Sequence, residues 1–335
     1  MKAVVLTTIG PAKTSFQIEE RAAPKPAEGQ VLIRIKAFGL NHSELSTRLG
    51  EFNPIGPVPL PRVLGIECVG LVETAPGAES ELPPGSVVMA ALGGMGRAFD
   101  GSYAEFCLAP RAFVIKVAES EAELKLSWDV FGALPEMLQT AHGCLFRSLQ
   151  LVKGDRLLVR GATSSVGLAA IGIAKHAGAQ VFATTRNPAN ESMLKDAGAD
   201  EVIVDIEGKL QDLVKDKYAP GFDKLLDLVG AATAPDSLRS LAYGGMCCSA
   251  GTLGGKWAID NFTPNLMLPA GRYLTSYGEF TFKKENAPWD VLLELVSSGE
   301  LIIKLGKVFQ GVEGVIEAHD LMERDAAGGK IVVVV

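Results

Sequence analysis

The run Gly161-Ala162-Thr163-Ser164-Ser165-Val166-Gly167 constrains this chain more than any other stretch of it. It follows the apolar segment Arg156–Arg160 and leads into Ser164–His176, a row of small and apolar residues that stops before Gly178. The first segment reads as a buried strand and the second as a helix closed by glycine. A strand that passes into a helix over so short a loop wants small residues at three places. One makes the tight turn, one lets backbone approach a ligand, and one lets the helix pack on the strand. Gly161 and Gly167 fill the outer places. Ser164 fills the middle one, where glycine is usual, and its hydroxyl adds a hydrogen-bonding group. The unpaired amides and positive dipole end of such a helix suit a pyrophosphate, so Gly161, Ala162, Thr163, Ser164, Ser165 and Val166 are candidate dinucleotide contacts. The alternative is a tight turn with no ligand.

The surroundings agree with the first reading. From Glu121 onward, strand patterns at Gln180–Thr185, Glu201–Asp205, Lys224–Val229, Met246–Ala250 and Tyr273–Tyr277 alternate with helical ones. The helical patterns include Glu191–Ala197, Lys209–Lys217 and Ala232–Leu241, and such alternation predicts a parallel sheet. Before Glu121, short runs at Met1–Thr7, Val31–Phe38, Gly65–Val72, Ser86–Ala91 and Tyr103–Leu108 are separated by proline and glycine, which predicts a β-rich unit. Lys330–Val335 is almost pure valine and is expected as a buried strand of that first unit's sheet. The expected division is therefore 1–122 with 286–335, and 123–285.

The second strand of the parallel unit ends Thr184-Thr185-Arg186. A site that holds a free ribose 2′-hydroxyl usually carries Asp or Glu here. Thr185 stands in that place and Arg186 follows. A guanidinium pairs with a 2′-phosphate, whereas a carboxylate repels it, so the pattern favours NADPH over NADH. The alternative for Arg186 is a solvated loop residue.

Bulk properties exclude several classes. A chain of 335 residues is long enough for two cores. Its net charge of −7 disfavours nucleic acid and anionic membranes as partners. No apolar run is long enough to span a bilayer, and Met1–Ile9 reads as a strand and not as a signal peptide. Five cysteines without framework spacing suggest free thiols in a reducing cytoplasm.

Over its whole length the chain resembles the medium-chain dehydrogenase/reductase superfamily. The resemblance rests on Gly39-Leu40-Asn41, Val63-Leu64-Gly65-Ile66-Glu67, the loop at Gly161–Gly167, Gly198-Ala199-Asp200 and Gly329-Lys330-Ile331-Val332. It implies an α/β fold with a Rossmann doubly wound parallel sheet plus a GroES-like β-barrel domain. The zinc alcohol dehydrogenases of that family need soft or imidazole ligands. Here the place of their first cysteine holds Asn41, the place of their histidine Ile66, and the place of their second cysteine Glu136. Gly93–Gly101, which matches their structural zinc lobe, contains no cysteine. No metal is expected at either site, and the resemblance narrows to the zinc-free quinone oxidoreductase-like branch.

That branch implies hydride transfer from NADPH to a quinone or another α,β-unsaturated carbonyl, a small-molecule substrate. It implies Asn41 as a catalytic amide, with a turn residue as the alternative. Thr140, Val229, Ser249, Gly251 and Thr252 are implied around the nicotinamide, with local capping or turn bonding as the alternative for Thr140 and Ser249, and Lys330 joins the cofactor residues. Where relatives carry a tyrosine, this chain has Ser46 and Phe52, so no side-chain proton donor is evident. Glu67 is expected to need a salt-bridge partner that the sequence does not name. Gly93–Ser102 reads as a mobile lip, and Met95, Phe99, Phe262 and Met267 as either pocket lining or core. Two rival functions stay open: an enone or enoyl reductase on the same scaffold, and a weakly catalytic NADPH-binding sensor or scaffold. A cytoplasmic homodimer is expected from the family.

Overall fold

The computed structural model describes residues 1–51, 56–278, 287–325 and 327–335. They form two compact units. The first comprises Met1–Glu136 and Lys304–Val335; the second comprises 137–278 and 287–303. These limits differ from the expected 122/123 and 285/286. Gly132, in the helix Trp128–Gly132, lies so close to the first unit's sheet that a Cβ there would meet Ala37 Cβ at 2.7 Å. Leu301, by contrast, presses its Cδ1 to within 2.4 Å of where a Cβ of Gly172 would lie, which ties its segment to the helix after the phosphate loop.

Sixteen strands occur among the described residues. The first unit opens with β1 (Lys2–Leu6), β2 (Phe16–Glu20), β3 (Gln30–Gly39), β4 (Arg62–Val63), β5 (Glu67–Thr74), β6 (Val87–Ala91), β7 (Phe106–Pro110) and β8 (Val114–Ala118). The second contains β9 (Arg156–Arg160), β10 (Gln180–Thr185), β11 (Glu201–Val204), β12 (Phe222–Asp227), β13 (Leu241–Ser249) and β14 (Tyr273–Ser276). The chain then returns to the first unit with β15 (Leu305–Gln310) and β16 (Lys330–Val334).

The second unit's sheet has the order β11-β10-β9-β12-β13-β14, and its neighbours all pair in parallel. This is the doubly wound Rossmann arrangement, with its switch point between β9 and β12. The first unit is β-rich: a small sheet β2-β1-β4 and a larger one running β15-β16-β3-β5-β6-β8, with β7 also on β3. The valine-rich end lies where its composition suggested, with β16 antiparallel to β3 and Val332 opposite Gly39. Fully apolar strands buried on both faces show no alternation, which is why β16 reads as buried from composition alone.

One expectation for the first unit is corrected. Gly93–Ser102 is no lip. A Cβ on Gly96 or Gly101 would strike Gly65 O at 2.7 or 2.1 Å, and the Gly101 amide donates to Val63 O at 2.8 Å. Glycine here serves close backbone packing. Met95 belongs to the core, at 1% exposure, and Phe99 packs against that core. The region of Phe52 lies outside the described residues.

The first unit's core also holds a polar pair. The Tyr103 hydroxyl and His319 Nε2 share a hydrogen bond of 3.0 Å, and both side chains are fully buried. Burial, aided by the Arg48 guanidinium, pushes the His319 imidazole down to about 3. An unfolded chain therefore binds a proton near pH 6.5 that the folded chain refuses. Full stability from this group is present above pH 6.5 and is lost as pH falls toward about 3, at about 1.4 kcal/mol per pH unit. Denaturant titrations between pH 6.5 and 4.5 should show wild type losing about 2 kcal/mol from this source. In His319→Phe, whatever its absolute stability, the pH slope should be shallower by one proton; an unchanged slope would rule out the assignment.

Candidate functional site

The phosphate loop is built as a strand-to-helix turn. Gly161 takes a positive φ of 79°, which a side chain would resist. Ser164 caps the helix Ser165–His176: its hydroxyl accepts from the Gly167 amide at 3.1 Å and donates to Gly161 O at 2.8 Å. The serine in the middle position thus closes the turn on itself. Gly167 must be glycine, because a Cβ would lie 2.7 Å from both Ala162 O and Gly161 O. Ser165 and Val166 begin the helix and have no intrahelical acceptors, so their amides are available to an anion. Ala162 is buried and Thr163 exposed.

The other strand ends lie level with this loop. Arg160 pairs in register with Asp227, Asp227 with Ser249, and Ser249 with Ser276. A buried charge network fixes these ends. Arg160 donates to Asp205 Oδ2 at 2.8 Å, to Asp236 Oδ2 at 2.5 Å and to Ser237 Oγ at 3.0 Å. Asp227 Oδ1 accepts the amides of Val229 and Gly230, both at 2.9 Å, and Oδ2 accepts the Ser237 hydroxyl at 2.7 Å. The loops after β12 and β13 run in contact, so that a Cβ on Gly251 would meet Leu228 O at 2.2 Å. Val229, Ser249, Gly251 and Thr252 are therefore held at one edge of the sheet. Thr140, in the helix Leu134–His142, accepts from Gln139 Nε2 at 2.8 Å. Thr185 is buried, and its hydroxyl is engaged by Asn187, donating to O at 3.0 Å and accepting from N at 3.1 Å. That turn presents Arg186, which is exposed.

The first unit gathers a second group of chemical residues around Asn41, which precedes the helix His42–Leu49. Asn41 Nδ2 donates to Glu67 Oε1 at 2.9 Å, and Lys330 Nζ donates to Asn41 Oδ1 at 2.6 Å. Lys330 and Glu67 form an ion pair at 2.8 Å, with Glu67 fully buried and Lys330 4% exposed. Glu67 Oε2 also accepts the Glu136 amide at 2.8 Å. This is the partner that Glu67 required. Burial by itself lowers the pKa of the Lys330 ammonium, but the Glu67 carboxylate, with Glu136 and Glu44, outweighs burial and holds it above the ordinary lysine value. Glu44 accepts the backbone N–H of Asn41 at 2.5 Å and that of Ile66 at 2.9 Å. Burial pushes it up to about 8 against the pull of those donors.

Sequence reasoning named Asn41, Glu67 and Lys330 but did not join them, and it assigned Lys330 to the cofactor. The ammonium donates to Asn41 and pairs with Glu67. The Arg160 network was missed altogether; its signal was a charged residue directly after an apolar run at the end of two strands, Arg160 and Asp227. Ser46 donates to Glu51 Oε2 at 2.7 Å. Of the expected zinc positions, Asn41 offers one amide oxygen already bonded to an ammonium, and Ile66 offers no donor. This set does not fit zinc. Among the described residues, no group of three or more His, Cys, Asp or Glu side chains is arranged to hold a metal, and no helix is long and apolar enough to cross a membrane.

Comparison with known proteins gives the same architecture. Residues 165–298 match the family model for zinc-binding dehydrogenases, and residues 27–119 match the alcohol dehydrogenase GroES-like domain. A quinone oxidoreductase of Pongo abelii is 29% identical over 258 residues, covering 76% of this chain and 74% of that protein. Prostaglandin reductase-3 of Mus musculus is 26% identical over 330 residues, covering 92% and 82%. A mycobacterial protein solved in complex with NADPH superposes with a TM-score of 0.84 at 27% identity, with 100% of each chain covered. Two matched domains in this order, on this sheet topology, make the chain a member of the medium-chain dehydrogenase/reductase superfamily, an oxidoreductase of its quinone oxidoreductase-like branch.

Proposed function

We propose that the chain is an NADPH-dependent reductase that transfers a hydride to a quinone or another α,β-unsaturated carbonyl without a metal. The observation that carries this reading is the Asn41 amide, which is oriented by two charged partners in a cluster that offers zinc no ligand set. An amide nitrogen has two hydrogens. Glu67 takes one, and the other is the donor offered to a substrate oxygen as negative charge grows on it.

The cofactor half is supported by the phosphate loop and by Arg186. The Ser165 and Val166 amides would hold the pyrophosphate, and the exposed Arg186 guanidinium would pair with the 2′-phosphate. When bound, the reduced nicotinamide supplies the hydride. The protein's part is to fix position and to steady the oxygen; the proton that completes the product comes from solvent. The likeness to a prostaglandin reductase favours a second reading, in which an enone and not a quinone is the physiological acceptor.

A homodimer in the cytoplasm belongs to the same proposal. All five cysteines are buried and free, which suits a reducing compartment. β14 is the outer strand of its sheet among the described residues and exposes Tyr273 and Leu274, an edge open to a second copy. Light scattering should report two chains per particle for wild type and one for Leu274→Arg. A monomeric wild type would rule out this edge as an interface.

Two further measurements test the chemistry. In fluorescence titrations Arg186→Ala should weaken NADPH binding by about 10-fold or more and leave NADH nearly unchanged, since a charge-assisted pair to the phosphate is lost. Equal effects on both cofactors would remove the case for phosphate recognition. Steady-state assays with quinone and enone panels should show Asn41→Ala losing about 100- to 1000-fold in kcat, the usual consequence of removing one oxyanion donor. Unchanged kcat with every acceptor would end Asn41's assigned role.

A further inference from the structure

We infer that Lys330 is a built-in cation that, with Glu67, locks the Asn41 amide in one orientation, making both of them positioning residues for reduction. The inference rests on the reading of Asn41 as the donor to the substrate oxygen. The geometry supplies the lock. An ammonium only donates and an ionised carboxylate only accepts. Lys330 Nζ therefore requires the oxygen of the amide, which it meets at 2.6 Å, and Glu67 Oε1 requires the nitrogen, which it meets at 2.9 Å. Rotating the amide by half a turn would set NH2 against the ammonium and the carbonyl against the carboxylate. Both contacts would become repulsive where no water is at hand to soften them, since Glu67 is fully buried and Lys330 nearly so.

The backbone is shaped to allow this. β16 pairs with β3, and the Leu40 amide donates to Ile331 O at 3.0 Å, which brings Lys330 beside the start of the Asn41 turn. Gly39 then leaves room for the lysine stem. A Cβ there would lie 2.5 Å from Lys330 Cε and 2.6 Å from Glu67 Oε1. The ammonium also draws electron density from the amide oxygen, which makes the remaining N–H a stronger donor. A fixed lysine supplies positive charge beside the donor without any exchangeable ion.

The test combines single and double variants with a readout that needs no turnover. Lys330→Met keeps the length of the side chain and removes its charge. It should lower kcat by about 100-fold, as misplacing a reacting group does, with a smaller change in acceptor KM. NADPH affinity, titrated without acceptor, should be unchanged. Lys330→Arg should recover part of the loss. The double variant Lys330→Met with Asn41→Ala should be no slower than Asn41→Ala alone, because the lysine acts through the amide. Losses that multiply in the double variant, or a Lys330→Met defect confined to NADPH binding, would overturn the inference. If Asn41→Ala alone is harmless, the underlying reading of Asn41 fails instead. Should Lys330→Met not fold, wild-type enzyme labelled with ¹⁵N-asparagine decides the matter. The Asn41 side-chain proton directed at Glu67 should be shifted downfield and slow to exchange with solvent. Two Asn41 side-chain protons at ordinary shifts that exchange as fast as those of exposed asparagines would refute the lock.

Discussion

The Glu67 carboxylate lies in the first unit with no exposure to water, and much of that unit follows from satisfying it. A buried carboxylate without a counter-charge is among the least tolerable groups in a protein interior. Its counter-charge is Lys330, 263 positions later in the chain by residue number. Delivering that lysine requires the C-terminal segment to return and pair as β16 against β3. Passing its stem requires residue 39 to lack a side chain. The carboxylate's second oxygen is filled by the Glu136 amide, which fixes the start of the helix Leu134–His142. Each constraint is local and simple, yet together they decide where three distant segments must meet.

The second unit solves a related problem in another way. Its strands end in charged residues at Arg160, Asp205 and Asp227, all buried. Pairing satisfies them: one guanidinium bridges Asp205 and Asp236, and Asp227 is covered by two amides and a serine hydroxyl. Such a network is tolerable only when its members are satisfied. Its position beneath the loops after β9, β11 and β12 gives it a functional consequence. The loops proposed to present amides and small side chains to a ligand are anchored from below by these buried side chains. Rigid strand ends carrying fixed loops are how a doubly wound sheet holds a binding crevice open.

What was legible in the sequence was what depends on local periodicity and turn chemistry. Gly161 and Gly167 announced the loop because only glycine meets its turn and its close packing. The strand Lys330–Val334 announced its burial because five apolar or stem-burying residues in a row fit nowhere else. The short edge elements β2, β4, β8 and β15 were not legible, since they are brief and their burial is partial. Gly93–Ser102 was misread because glycine has two meanings. A loop rich in it can be mobile or can be pressed against other backbone, and composition does not separate the two.

Charges posed a different kind of problem. The sequence makes it plain that Glu67, set among Gly65, Ile66 and Cys68, would need a partner, but pairing over 263 positions leaves no periodic trace. Lys330 was counted among the cofactor residues on the strength of resemblance, and in the fold its ammonium meets Asn41 and Glu67. An ammonium has three donors, and two are already directed at Glu67 Oε1 and Asn41 Oδ1. At 4% exposure the third has little access to a ligand. Pulling the lysine away to meet a phosphate would strand Glu67 in the interior, which costs about 3–5 kcal/mol for a broken buried pair, more than a single surface-type contact to an anion returns. The balance of those two magnitudes, and not the identity of the residue, supports the inference that the cation serves the amide.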